Sequence, residues 1–121
     1  MSKQYLSPYV NFQGHAREAM EFYQRVLGGK VDLQEHGGRV AMARLEADGA
    51  RIIGSDGHPD YPAKVGENVA IAVGGTDADR MAEIYQGLAE GGQGKMAPSD
   101  RSPGFLLDKF GINWVVVVEK A

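Results

Sequence analysis

The chain has 121 residues and a mass of 13.0 kDa, enough for one domain with a real core and too little for two. With 43% hydrophobic and 24% charged residues and a formal net charge of −3, its composition is that of a globular protein. It lacks the basic excess that a nucleic-acid partner favours. No cysteine is present, which excludes a disulfide, a thiolate nucleophile and a zinc–thiolate site.

The opening residues, Met-Ser-Lys-Gln-Tyr-Leu-Ser-Pro, lack the apolar core of a signal peptide, so a cytoplasmic protein with no membrane partner is expected. Tyr5 to Gln13 reads as a strand, with Tyr9 and Asn11 on one face and Val10 and Phe12 on the other. Gly14-His15 opens a helix whose apolar stripe is Ala16, Ala19, Met20, Tyr23, Val26 and Leu27, and Gly28-Gly29 ends it. Lys30 to Glu35 and Val40 to Ala47 read as strands joined by a His36-Gly37-Gly38-Arg39 turn. Asp48-Gly49 turns again into a strand from Ala50 to Ser55.

Asp56 to Gly66 is a linker rich in Gly, Pro and Asp. Glu67 to Gly75 alternates as the next strand, with Val69, Ile71 and Val73 on one side. Thr76 or Asp77 caps a second helix with the stripe Ala78, Met81, Ala82, Tyr85, Leu88 and Ala89, stopped by Gly91-Gly92. Gly94 to Met96 and Gly104 to Leu107 are short strands. A turn at Gly111 then feeds the apolar run Trp114 to Val118, which is far shorter than the about 20 residues of a membrane span.

The two halves match at one constant offset. It sets Tyr23-Gln24 over Tyr85-Gln86, Leu45 over Leu107, Gly49 over Gly111 and Ile53 over Val115. Two copies of a βαβββ unit, about 5–57 and 66–120 of a single domain, account for this better than unrelated elements.

Three stretches carry a resemblance. They are Pro8-Tyr9-Val10-Asn11-Phe12 with Ala19-Met20-Glu21-Phe22-Tyr23 and Leu27-Gly28-Gly29, then Met42-Ala43-Arg44-Leu45 leading to Ser55-Asp56, then Asp108-Lys109-Phe110-Gly111 with Trp114. In order and spacing the chain resembles the vicinal oxygen chelate superfamily of glyoxalase I, bleomycin-resistance proteins and extradiol dioxygenases, and within it the PhnB-like branch. The resemblance implies an α+β fold in which each module curls into a half-barrel cup and the cups pair around a cavity. It also implies a homodimer, since a second subunit often completes the cavity of relatives. Metal-using members take a ligand from the first and last strand of each module. Carried onto this chain, those positions are Ser7 or Pro8, Ile53, Asn68 and Val115. None is His or Glu, so neither a metal in the usual place nor any other cofactor is expected. Met42 stands where relatives often carry His. Proteins of this branch are often labelled demethylubiquinone methyltransferases. This chain has neither a glycine-rich turn after its first strand nor a doubly wound sheet for a nucleotide-like cofactor.

By strand parity, Tyr9, Asn11, Arg51, Ser55, Asn68 and Asn113 point into the cup, while Val10, Phe12, Val69, Ile71 and Trp114 pack under the helices. The alternative for the polar set is solvent or backbone at the sheet ends. His58 lies in Asp56-Gly57-His58-Pro59-Asp60-Tyr61, a candidate cavity lip. A His beside two carboxylates is a candidate acid or base, or else part of a plain polar turn. His15 and His36 read as surface residues. No catalytic set with spacing logic emerges. The expected function is binding of a small organic ligand in a metal-free cavity. The alternative is a lyase, isomerase or dioxygenase with a metal on displaced ligands such as Asp56 and His58.

Overall fold

The computed structural model describes residues 5–120, in two compact units with the boundary between Ala63 and Lys64. The first unit runs β1 (Tyr9–Asn11), α1 (Ala16–Leu27), β2 (Lys30–His36), β3 (Arg39–Ala47) and β4 (Ala50–Ser55), with sheet order β1-β4-β3-β2. The second runs β5 (Ile71–Gly75), α2 (Ala78–Ala89), β6 (Gln93–Met96), β7 (Gly104–Leu107) and β8 (Asn113–Val118), with sheet order β5-β8-β7-β6. In each, the first strand pairs parallel with the last and the other pairs are antiparallel. This is the α+β fold of repeated βαβββ units expected from the offset, each an open sheet with one helix on one face.

Alternation decides which face the helix covers. In the first unit α1 packs over β3 and β2, and Ala43, Leu45 and Ile52 join Ala16, Ala19, Met20 and Tyr23 in the core. In the second, α2 brings Met81, Ile84, Tyr85 and Leu88 to Leu106, Trp114 and Val116. The opposite faces stay open and differ in chemistry. Strand register puts Tyr9, Asn11, Arg44, Arg51, Ile53 and Ser55 on the first unit's open face. It puts Phe105, Leu107, Val115 and Val117 with Asn113 and Ala72 on the second unit's.

Two strands are shorter than alternation suggested. β1 begins only at Tyr9, and Gln13 breaks away with positive φ (51°) while its N–H donates to the Asn11 side chain at 2.8 Å. β5 begins at Ile71, opposite Trp114. Residues 67–70 therefore lie outside the sheet, Asn68 is exposed, and Val69 is 77% exposed rather than under α2. Their period is strand-like, but no strand pairs with them. The Asn113 side chain instead donates to the carbonyls of Gly66 (3.0 Å) and Val69 (3.5 Å).

The helix starts also differ. Asp77 caps α2 by accepting from the N–H of Arg80 at 3.2 Å. At α1 the cap residue His15 makes no such bond. The N–H of Ala16 donates instead to the Asp56 carboxylate at 2.9 Å, so the cap comes from the end of β4.

The turn before β8 is fixed by Asp108, 2% exposed. Its carboxylate accepts from the N–H groups of Phe110 (2.8 Å) and Ile112 (3.0 Å) and from the indole N–H of Trp114 (2.9 Å). Removing it takes the acceptor from the buried indole N–H of Trp114, at about 1–3 kcal/mol for a buried group, and from two half-buried backbone donors. Asp108→Ala is therefore expected to lose about 3 kcal/mol or more of stability in urea denaturation followed by Trp114 fluorescence. A loss below about 1 kcal/mol would mean that the turn does not depend on this carboxylate.

Candidate functional site

β1 runs parallel and β3 antiparallel to β4, so the end of β1, the β2–β3 hairpin and the exit of β4 all lie at one end of the first sheet. There they line an open cavity of about 630 Å³. Tyr9, Asn11 and Ser55 come from β1 and β4, His36, Arg39, Val40 and Ala41 from the hairpin, and Gly57, His58, Pro59 and Tyr61 from the loop after β4.

Ser55, 5% exposed, is the polar centre. Its hydroxyl accepts from the Gly57 N–H at 3.0 Å and shares a 2.6 Å hydrogen bond with the Tyr9 hydroxyl. The backbone continues the tie, since the N–H of Phe12 donates to the Ser55 carbonyl at 2.9 Å. Gly57 adopts φ +81°, and a Cβ there would come within 2.4 Å of the Asn11 amide. The loop thus passes too close to β1 for a side chain.

Asp56 ties this end together. One carboxylate oxygen accepts from Ala16 and the other from the N–H of Val40 at 2.8 Å. Its carbonyl accepts from Gly14 at 2.9 Å. Arg39 reaches across the hairpin and donates to the carbonyls of Gly57 and, at 3.4 Å, Asp56. On the loop, Nδ1 of His58 accepts from the Asp60 N–H at 3.1 Å, and the rings of His58 and Tyr61 lie 5.6 Å apart.

Of the residues expected to line a pocket, Tyr9, Asn11, Ser55 and His58 come together here. Arg51 shares their sheet face but lies outside the lining, with its guanidinium 4.3 Å from the centre of the Tyr5 ring. Asn68 and Asn113 belong to the second unit and are not part of this cavity. Asn68 lies before β5 rather than on it, and the Asn113 amide is engaged with backbone. Sequence reasoning missed Arg39 and the placement of His36, and named Tyr61 only as the end of the candidate lip Asp56 to Tyr61. The strand order alone puts the β2–β3 hairpin beside Ser55, and that was the available signal. On the same open face Arg44 has an enclosed Nε with no hydrogen-bond partner.

The Ser55 hydroxyl holds both Gly57 and Tyr9, so Ser55→Ala should loosen the loop 56–61. Faster amide exchange at Gly57 and a stability loss of about 1–2 kcal/mol are expected. Unchanged exchange would show that Arg39 and the Asp56 bonds hold the loop without the Ser55 hydroxyl.

A sequence profile of the 3-demethylubiquinone-9 3-methyltransferase family matches residues 4–117. Protein YjdN of Escherichia coli (strain K12) is 25% identical, covering 95% of each chain. The crystal structure of PA1353 from Pseudomonas aeruginosa superposes with a TM-score of 0.86 at 27% identity, over 98% of this chain and 100% of that one. The PhnB protein from Bacillus cereus gives 0.78 at 20% identity, over 96% and 100%. A possible glyoxalase from Bacillus cereus gives 0.63 at 18% identity, over 96% and 97%, and shares the fold. The chain belongs to the 3-demethylubiquinone-9 3-methyltransferase family, and it shares its fold with the PhnB protein and the possible glyoxalase.

Proposed function

We propose that the protein binds a small organic molecule in the cavity of its first unit, with no metal held at the superfamily's usual positions. The cavity itself carries the reading. Its volume of about 630 Å³ falls in the range of ligand pockets, roughly 300–1,000 Å³. It also joins apolar and aromatic walls to a small convergent polar set at Tyr9, Asn11 and Ser55, the usual composition of such sites.

The donor chemistry does not fit a metal in the usual place. Ile53 and Val115 stand on the open faces with no lone pair to offer, and their neighbours on the adjoining first strands are Tyr9 and Ala72. Ser7 is engaged with the carbonyls of Pro8 and Arg51. Among the described residues, no group of three or more His, Asp or Glu converges as a divalent ion needs. The family's description speaks of methyl transfer. The two sheets here are mixed and only four-stranded, not the doubly wound parallel type that receives nucleotide-like cofactors, so the binding reading does not draw on that description. A symmetric homodimer, the commonest assembly, is part of the proposal, and a sedimentation mass near the chain's 13.0 kDa would remove that part.

Metal analysis of protein purified without chelator or affinity tag, with a thermal-shift series over divalent ions and a small-molecule library, tests the reading. The expected result is no stoichiometric metal, no shift with any ion, and stabilisation by some organic compounds. A ligand at about a hundred times its Kd adds about 2.7 kcal/mol. A bound stoichiometric ion, or one metal giving the dominant stabilisation, would overturn the proposal.

A further inference from the structure

The cavity is lined by cationic and titratable nitrogen but by no carboxylate: Arg39, His36 and His58 face it, and no Asp or Glu does. The nearby acids are committed elsewhere. Asp56 accepts from the backbone at Ala16 and Val40 and Glu35 is paired with Arg17, while Asp60, outside the lining, sits at the rim 3.7 Å from Nδ1 of His58 and away from Arg39's partners. Arg39 is held by two loop carbonyls, which orient its guanidinium without neutralising it. It forms no ion pair among the described residues, and several of its donors remain for a ligand. Two large aromatic side chains, Tyr9 and Tyr61, stay exposed at the same cavity. The His58 ring leans on Tyr61 at 49°. Exposed aromatic surface gathered at a concave site is what a flat apolar partner covers.

We infer that the ligand is a planar aromatic molecule bearing an oxyanion such as a carboxylate, its charge on Arg39 and its ring against Tyr9 and Tyr61. The inference rests on the cavity reading above and narrows it to a chemical class. A guanidinium fork matches a carboxylate in plane, and a neutral or cationic head would leave Arg39 facing it uncompensated.

Isothermal titration with three probes tests it: 2-naphthoate, its neutral counterpart 2-naphthamide, and the saturated anion cyclohexanecarboxylate. Naphthoate should bind more tightly than either by roughly tenfold, the scale of one charge-assisted hydrogen bond or one ring contact. Arg39→Gln should erase the preference for naphthoate over naphthamide while naphthamide binding persists. Arg39→Lys, which keeps the charge without the planar fork, should retain part of the preference, and it serves as the readout if Arg39→Gln melts early. Equal binding of the naphthoate and the naphthamide, or a preference that survives Arg39→Gln, overturns the anionic part and leaves the cavity reading standing. Equal binding of the two anions overturns the aromatic part. If no probe binds, the whole inference falls, and the cavity reading is then decided by the library thermal shifts.

Discussion

One carboxylate holds the working end of the first unit together. Asp56 follows β4, yet its two oxygens close the start of α1 and the start of β3 while its carbonyl receives the loop after β1. A helix begins with unpaired N–H groups that need acceptors, and here the acceptor comes from a residue distant in sequence. The consequence is geometric. With the helix, the hairpin and the strand exit tied at one residue, Ser55 and Gly57 on either side of it are fixed against Tyr9 and Asn11. The cavity wall is therefore built by the same bonds that build the fold.

The second unit repeats the topology with another solution. Asp108 stays within its own turn, accepting from Phe110 and Ile112, and spends its other oxygen on the Trp114 indole. Its α2 is capped locally by Asp77. The open faces have diverged accordingly: β1 and β4 present Tyr, Asn, Arg and Ser around Ile53, while β7 and β8 present Phe105, Leu107, Val115 and Val117 with the single polar Asn113. Duplicated backbones need not carry duplicated chemistry, and in this chain the polar site belongs to the first copy.

Much of this was legible in the sequence because it is local or repeated. The offset that sets Tyr23 over Tyr85 gives helices of 12 residues each, and the Gly-Gly pairs end both. Partnering was not legible. Val69 alternates with Ile71 and Val73 as a strand should, but β5 pairs with β8 only from Ile71 onward. Alternation reports a side-chain pattern; a strand also needs a neighbour to complete its ladder. The site divided in the same way. Tyr9, Asn11 and Ser55 followed from strand parity, whereas Arg39 and Tyr61 reach the cavity through a hairpin and a loop whose paths depend on Asp56 and Gly57. His36 read as a turn residue, and it is one, but the turn borders the cavity.

The central claim is that the cavity at the end of the first sheet is the ligand site. Its most direct test is to map backbone amide resonances of chelator-treated, isotope-labelled protein during titration with whichever library compound stabilises it most. The account predicts shifts concentrated at Tyr9, Asn11, Arg39, Ser55, Gly57, His58 and Tyr61, with β5 to β8 largely unmoved. Shifts centred on the apolar face of β7 and β8, with the first unit silent, would contradict it.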